Sequence, residues 1–336
     1  MKEYKVGIIG ATGAVGQEML KVLGERNFPI SELRLLASSR SAGKVVESPV
    51  YGKLTIGETT NDAFSGLDIV LGAAENNISE QFVDAIKASG AVYIDNSSAF
   101  RLRDDVPLVV PEVNGEDAFK HNGVISNPNC STIITVVAIN AINKLSPIQA
   151  LYASTYQAVS GAGAKGPVEM YEQSKAFLNG EPIPPANIFQ YQIAFNLIPQ
   201  IGGFQENLYT SEEMKLQNEG RKIMHLPDLK VSCTCVRVPV ERSHSISANV
   251  ITKDRLDLDV VRTAIAASKG CQLVDDPASK RYPMPLETSN QDDVFVGRIR
   301  RDLIHENGIN LWCCGDQVRK GAATNAVQIA ELLIGR

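Results

Sequence analysis

No stretch of the 336 residues stays apolar long enough to cross a bilayer. The longest, around residues 133–142, is interrupted by Thr135 and Asn140, whereas a spanning helix needs about 20 apolar residues. The N-terminal Met-Lys-Glu-Tyr-Lys runs straight into Val6-Gly7-Ile8-Ile9. It lacks the apolar core and small-residue cleavage site of a secretory signal, so a cytoplasmic protein with no membrane contact is expected. Cysteine is scarce, with six in the whole chain; that excludes a disulfide scaffold, and free thiols are expected. Charge of one sign is also scarce: 38 acidic against 33 basic residues leave a net −5, a balance that argues against nucleic acid as a partner. No internal repeat and no low-complexity tract is present, which sets aside solenoids and fibrous arrays.

Metal-ligand spacing is missing too. Cys233 and Cys235 alternate along one apparent strand, and Cys313 and Cys314 are adjacent, whereas structural zinc sites draw ligands from turns with two or more intervening residues. No metal is expected, and these four read as small buried hydrophobes.

What is present is a change of texture at mid-chain. At this length two domains are expected. Residues 4–9, 33–37, 68–73, 91–94 and 124–125 read as short buried strands, with helical spacing over 15–23 and 78–89. Strands alternating with helices predict a parallel sheet covered on both faces. A long apolar helix is predicted over 133–145. Beyond residue 149, segments 151–158, 230–239, 245–251 and 309–314 read as longer strands. A Pro-, Asn- and Gln-rich stretch over 179–203 reads as loops, 212–224 as an amphipathic helix and 322–334 as a final helix. The expected fold is α/β: a Rossmann-type dinucleotide-binding domain over 1–127, completed by 315–336. An α+β catalytic and dimerisation domain with a mixed sheet is expected over 128–314.

Gly10-Ala11-Thr12-Gly13-Ala14-Val15-Gly16 lies between the first strand and the first helix. Three glycines alone signal little, since any tight turn uses them. Between a strand and a helix they allow backbone amides to approach a pyrophosphate at the positive helix end. The next strand leads into Ser38-Ser39-Arg40-Ser41-Ala42-Gly43-Lys44, without the acid that would bond a ribose 2′-hydroxyl. Hydroxyls and cations suit a 2′-phosphate, so NADP is the expected cofactor.

Ser126-Asn127-Pro128-Asn129-Cys130-Ser131-Thr132 sits where a strand gives way to the apolar helix. The helix dipole and free amides there stabilise a thiolate, which is what a nucleophile needs. Asn129 and the amides that follow are placed to donate to an oxyanion. An inert buried cysteine is the plainer alternative for any one of six, but position favours Cys130 as a nucleophile.

The segment Asn127–Thr132 resembles the nucleophile motif of the aspartate-β-semialdehyde dehydrogenases. So do Gln157-Ala158-Val159-Ser160-Gly161-Ala162-Gly163, Glu212-Glu213-Met214-Lys215, Arg237 to His244, and Gly315-Asp316-Gln317. They follow the family's order from the first strand to the last helix. The resemblance implies reversible, phosphate-dependent reduction of L-aspartyl-4-phosphate to L-aspartate 4-semialdehyde, with NADP and a Cys130 thioester. It places that step in lysine, diaminopimelate, methionine and threonine biosynthesis. It implies a homodimer whose other partners are its small substrates.

By the same resemblance His244 is the general acid/base, and Gln157 orients substrate or intermediate. Arg237 clamps the α-carboxylate and Glu212 holds the α-ammonium. Arg101, Lys215 and Ser98 take the phosphate. The cofactor contacts are Gly10, Thr12, Gly13, Ala14, Val15, Gly16, Ser38, Arg40, Ser41, Ser160, Gly161 and Gln317. Unaided, the Glu212–Lys215 spacing would read as an ordinary surface ion pair. His121, His225 and His305 read as surface residues. N-acetyl-γ-glutamyl-phosphate reductase shares this chemistry, but a masked amine has less need of Glu212. A silent NADP-binding sensor would not need both a nucleophile and a base.

Overall fold

The computed structural model describes residues 2–336. The chain forms two compact units, residues 1–129 with 322–336, and residues 130–321.

The first unit opens with β1 (Tyr4–Ile9), whose last four residues are buried, as expected of a strand covered on both faces. It continues through α1 (Ala14–Glu25), β2 (Ile30–Ala37), β3 (Val45–Ser48), β4 (Gly52–Glu58), β5 (Ile69–Gly72), α2 (Asn76–Ala88), β6 (Val92–Asp95), the one-turn α3 (Pro111–Asn114) and β7 (Val124–Ser126). The seven strands are ordered β3-β4-β2-β1-β5-β6-β7. All pairings are parallel except β3 with β4, which is antiparallel. From β1 the chain first builds outward through β2, then crosses back to β5 on the other side of β1. Ligands bind open α/β sheets at such a reversal, beyond the strands' carboxyl ends, and residues 10–16 leave β1 there.

A helix at the extreme C-terminus, Thr324–Leu333, completes this unit and packs against α1, β5 and β6. Arg26 grips Glu331 with two nitrogens, at 3.0 Å (Nε) and 2.7 Å (Nη2). Asn325 Nδ2 donates to Asn127 Oδ1 at 2.6 Å and to Val109 O at 3.0 Å. The expected return at residue 315 is early, since residues 315–321 stay with the second unit. The physical cause is that the last strand of that unit runs through Gly315 and the turn after it is bonded back to its own neighbours.

The second unit starts with α4 (Cys130–Leu145), in which every residue from Ser131 to Ile142 is buried. A helix apolar on all sides must be central, and it packs against strands and helices of the same unit. There follow β8 (Ile148–Gln157), α5 (Lys165–Asn179), α6 (Ser211–Ile223), β9 (Lys230–Arg237), β10 (His244–Thr252), α7 (Leu258–Ala266), β11 (Cys271–Leu273), the short α8 (Pro285–Thr288), β12 (Val294–Arg301) and β13 (Gly308–Gly315). The six strands form one mixed sheet, β11-β12-β13-β10-β8-β9. The β8–β9 and β11–β12 pairs are parallel, and β10 is antiparallel to both its neighbours. The fold is therefore a Rossmann-type unit plus an α+β unit with a mixed sheet.

Seven elements have no counterpart in the sequence reading: the β3–β4 hairpin arm, α3, α5, α7, β11, α8 and β12. Among the described residues no helix is long and apolar enough to cross a membrane.

Candidate active site

In the first unit the residues after β1 fulfil the steric demand of a dinucleotide loop. Gly10 has φ +74°, and a Cβ there would lie 2.4 Å from Ala73 O; a Cβ on Gly16 would lie 2.4 Å from Gly10 O. Backbone packs directly on backbone, so only glycine fits either position. Gly13 caps α1 with no side-chain hydrogen bond to the helix amides. Thr12, Gly13 and Ala14 are exposed, with Val15 half-buried, so the positive helix end faces outward. Ser38 and Arg40 are exposed and Ser41 is half-buried just past β2. These residues fit a dinucleotide through backbone amides and small side chains.

The same unit carries Ser98 and Arg101 on the loop after β6. Ser98 exchanges hydrogen bonds with Asn76, its N–H donating to Oδ1 and its Oγ accepting from Nδ2, both at 2.9 Å. Arg101 is buried, 7% exposed, and Nη2 donates to Asn96 O at 2.8 Å. Asn129, also buried, is the last residue of this unit's first segment.

In the second unit Cys130 is the first residue of α4 and the one cysteine of six that is not buried. Its Sγ lies 3.6 Å from His244 Nε2. His244 begins β10 and is fully buried. The Ala158 N–H donates to its Nδ1 at 3.1 Å. A backbone N–H can only donate, so a neutral imidazole here keeps its proton on Nε2, facing the sulfur. Burial, followed by the nearby Arg237 charge, lowers the His244 pKa to about 3, against a weaker opposing pull from Glu212. The ring stays neutral, because burial and a neighbouring cation both disfavour the charged form.

Arg237 ends β9 and is 7% exposed; Nη1 donates to Ala158 O at 2.7 Å. Burial lowers its pKa, with Glu212, Cys130 and Cys235 opposing in that order. Gln157, at the end of β8, donates Nε2 to Glu212 Oε1 and to Thr155 Oγ1, each at 3.3 Å. Glu212 accepts from Lys215 Nζ on its other oxygen at 3.0 Å. The pair is no ordinary surface bridge, since Glu212 is only 8% exposed. Cys130, Gln157, Glu212, Lys215, Arg237 and His244 thus come from three strands and two helices of one unit. A Cβ on Gly161 would fall 2.9 Å from Arg237 Nη1 and 3.1 Å from His244 Cε1, so this loop lies directly against the pair. Ser160 Oγ donates to Glu241 O and accepts from Gln317 Nε2, both at 2.5 Å.

Two carboxylates beside these residues were overlooked in the sequence. Glu213 closes a capping box with Thr210 and accepts the Cys235 N–H at 3.0 Å, tying α6 to β9. Asp316 is fully buried between the loop before β10 and the turn after β13. Both lie inside quoted motifs; Thr210-x-x-Glu213 is itself a capping-box signal, whereas Cys235, Arg242 and Asn290 are distant in sequence from the carboxylates they bond. Cys233 and Cys235 are buried with sulfurs 3.7 Å apart, and Cys313 and Cys314 are buried as well. His225 and His305 are exposed, and His121 is half-buried. Among the described residues no group of three or more His, Cys, Asp or Glu is placed to hold a metal.

Residues 5–121 match the family model described as semialdehyde dehydrogenase, NAD binding domain, and residues 139–320 match semialdehyde dehydrogenase, dimerisation domain. Aspartate-semialdehyde dehydrogenase of Synechocystis is 50% identical over 99% of this chain and 98% of its own length. That of Bacillus subtilis is 48% identical over 98% and 96%. The crystal structure of aspartate semialdehyde dehydrogenase II from Vibrio cholerae complexed with ASA superposes with a TM-score of 0.96. It is 43% identical and covers 99% of each chain. The chain belongs to the aspartate-semialdehyde dehydrogenases, NAD(P)-binding oxidoreductases of amino-acid biosynthesis.

Proposed function

We propose that this enzyme interconverts L-aspartyl-4-phosphate and L-aspartate 4-semialdehyde with NADP, through a thioester on Cys130. The step would serve lysine, diaminopimelate, methionine and threonine biosynthesis. We assign it to a homodimer joined through the second unit and working in the cytoplasm. The observation that carries the reading is the Cys130–His244 pair, 3.6 Å apart at the start of α4. The acid-free loop after β2 supports NADP over NAD.

Cys130 Sγ attacks the acyl carbon of the substrate. The carbon–oxygen bond to phosphate breaks, phosphate leaves with a proton from solvent, and a thioester remains. The Gly10–Gly16 loop with Ser38, Arg40 and Ser41 would hold NADPH, which would supply the hydride for this thioester carbon. Cys130 then leaves the tetrahedral carbon as thiolate, releasing the aldehyde. His244 donates Nε2–H, first to the thiolate and then to the oxygen that becomes charged at the tetrahedral stage. With Nδ1 already accepting from Ala158, it acts in the free enzyme as a donor rather than a proton store. Arg237 turns the rest of its guanidinium fork to the α-carboxylate, and Glu212 meets the α-ammonium. Gln157, held by Glu212, orients the acyl group, while Asn129 donates beside Cys130. Arg101, Lys215 and Ser98 take the departing phosphate.

The test is NADP reduction with aspartate semialdehyde plus phosphate, on the wild type and on Cys130→Ala. The expected result is phosphate-dependent turnover that the substitution abolishes. No turnover in the wild type, or turnover that survives in Cys130→Ala, would overturn the reading.

A further inference from the structure

Asp316 follows β13, and its carboxylate is fully buried. Oδ2 accepts from Arg242 Nε and from the Asn290 N–H, both at 2.6 Å. Oδ1 accepts the N–H groups of Val318 at 2.9 Å and Arg319 at 3.0 Å. Its own carbonyl accepts the Gly321 N–H at 3.0 Å. The next side chain, Gln317, accepts the Ser243 N–H on Oε1 at 2.9 Å.

These bonds converge on two short pieces of backbone. One is Arg242-Ser243-His244, in which Ser243 is held at φ +73°, a conformation that costs a non-glycine residue energy and needs outside support. Ser243 Oγ is further fixed against Thr288 Oγ1 at 2.6 Å. The other is the turn through Gly321, where a Cβ would fall 2.8 Å from Cys130 Cβ. The first piece carries the imidazole, and the second packs against Cys130 Cβ and Cα. One carboxylate therefore grips both sides of the reacting pair, and a buried carboxylate with four donors has no lower-energy arrangement nearby.

We propose that Asp316 is the positioning residue that sets the Cys130–His244 separation, acting through Arg242 on one side and the 318–321 turn on the other. The proposal rests on the reading of Cys130 and His244 given above. Asn at this position would turn an N–H₂ group toward one pair of donors, either Arg242 with Asn290 or the two turn amides, and so would release one side.

The experiment compares wild type, Asp316→Asn, Arg242→Gln and Arg242→Lys. For each it measures kcat, the KM values of both substrates, and the pH dependence of Cys130 alkylation by iodoacetamide. Asp316→Asn is expected to lower kcat at least 30-fold, leave KM within about 3-fold, and move the alkylation profile along pH. Arg242→Gln is expected to do the same more weakly, and Arg242→Lys to restore part of the loss. A residue that only supported folding would lower the active fraction and leave the alkylation profile of the folded enzyme in place. An unchanged profile and kcat in folded Asp316→Asn overturn the proposal; if that variant does not fold, the same result in Arg242→Gln does. A dead Cys130→Ala beside a wild-type-like Asp316→Asn rejects this proposal alone, whereas an active Cys130→Ala rejects the reading beneath it.

Discussion

The glycine loop of the first unit and the cysteine site of the second present their polar groups in opposite ways. At the loop, Thr12, Gly13 and Ala14 present backbone at an exposed helix end, and side chains matter chiefly by being absent. At the cysteine site the groups are side chains, buried except for the half-buried Cys130 and Lys215. Each is fixed by another far along the chain: Gln157 by Glu212, the His244 ring by Ala158, Arg237 by the Ala158 carbonyl. A backbone site tolerates changes around it but not a Cβ within it. A buried side-chain site transmits a change at one member to the rest.

The largest expected effect comes from removing the buried donor. His244→Gln should lower kcat about 10²–10³-fold, the range for losing one donor at a developing oxyanion, with KM nearly unchanged. The same substitution should alter acid sensitivity. The folded pKa of about 3 lies below the usual 6.5, so the neutral ring contributes its full stability above pH 6.5. That stability is lost as pH falls from 6.5 towards 3, at up to about 1.4 kcal/mol per pH unit. Gln does not titrate, so chemical denaturation at pH 7 and pH 4.5 should show a difference about 2 kcal/mol smaller in the variant. An equal or larger difference would mean that the imidazole is not held neutral, and the contrast with the exposed loop would lose its basis.

Next in size is a methyl group inside the loop. Gly10→Ala puts a Cβ against Ala73 O at 2.4 Å in a left-handed conformation, and NADPH affinity should fall at least about 10-fold as backbone shifts away. Gly90→Ala is the control, since it has φ +84° and nothing within 4 Å of a Cβ and lies before β6, away from both cofactor loops. It should cost only about 1 kcal/mol of stability and leave NADPH binding alone. Isothermal titration with NADPH separates the two. Equal affinities would show that close backbone approach plays no part at residue 10.

This contrast also explains what could be read in advance. The glycine loop, its strand and its helix are contiguous, and a run of buried residues such as Val6–Ile9 has one sensible reading. Cys130 was legible for the same reason, as a thiol at the start of an apolar helix. The elements that went unseen are locally ambiguous. α5 begins with Lys-Gly-Pro and carries mixed residues throughout, and β12 ends in Arg-Ile-Arg-Arg with Arg298 at positive φ. Their identity is set by tertiary pairing, β12 lying between β11 and β13. The Thr210-x-x-Glu213 spacing is a legible capping box, but nothing local marks the distant donors, the Cys235 N–H for Glu213 and Arg242 for Asp316, which lie tens of residues away. The lowered pKa of His244 was hidden likewise, since burial and proximity to Arg237 are properties of the folded chain.

The smallest effect tests whether the loop after β2 reads charge at all. Arg40 is exposed there, and exposed ion pairs are individually worth about 0–1 kcal/mol. A guanidinium facing a phosphate can bond it with two parallel N–H groups, which raises the contribution towards the upper end of that range. Arg40→Ala should therefore raise the KM for NADPH about 3–5-fold and leave the KM for NADH unchanged, since NADH has no 2′-phosphate. Because the pair is solvent-exposed, screening should shrink the difference between variant and wild type as salt rises from 0.05 M to about 0.5 M. Parallel losses for NADPH and NADH would indicate a packing change instead of a lost phosphate contact. The cofactor preference would then have to reside in Ser38, Ser41 or Lys44 rather than in this arginine.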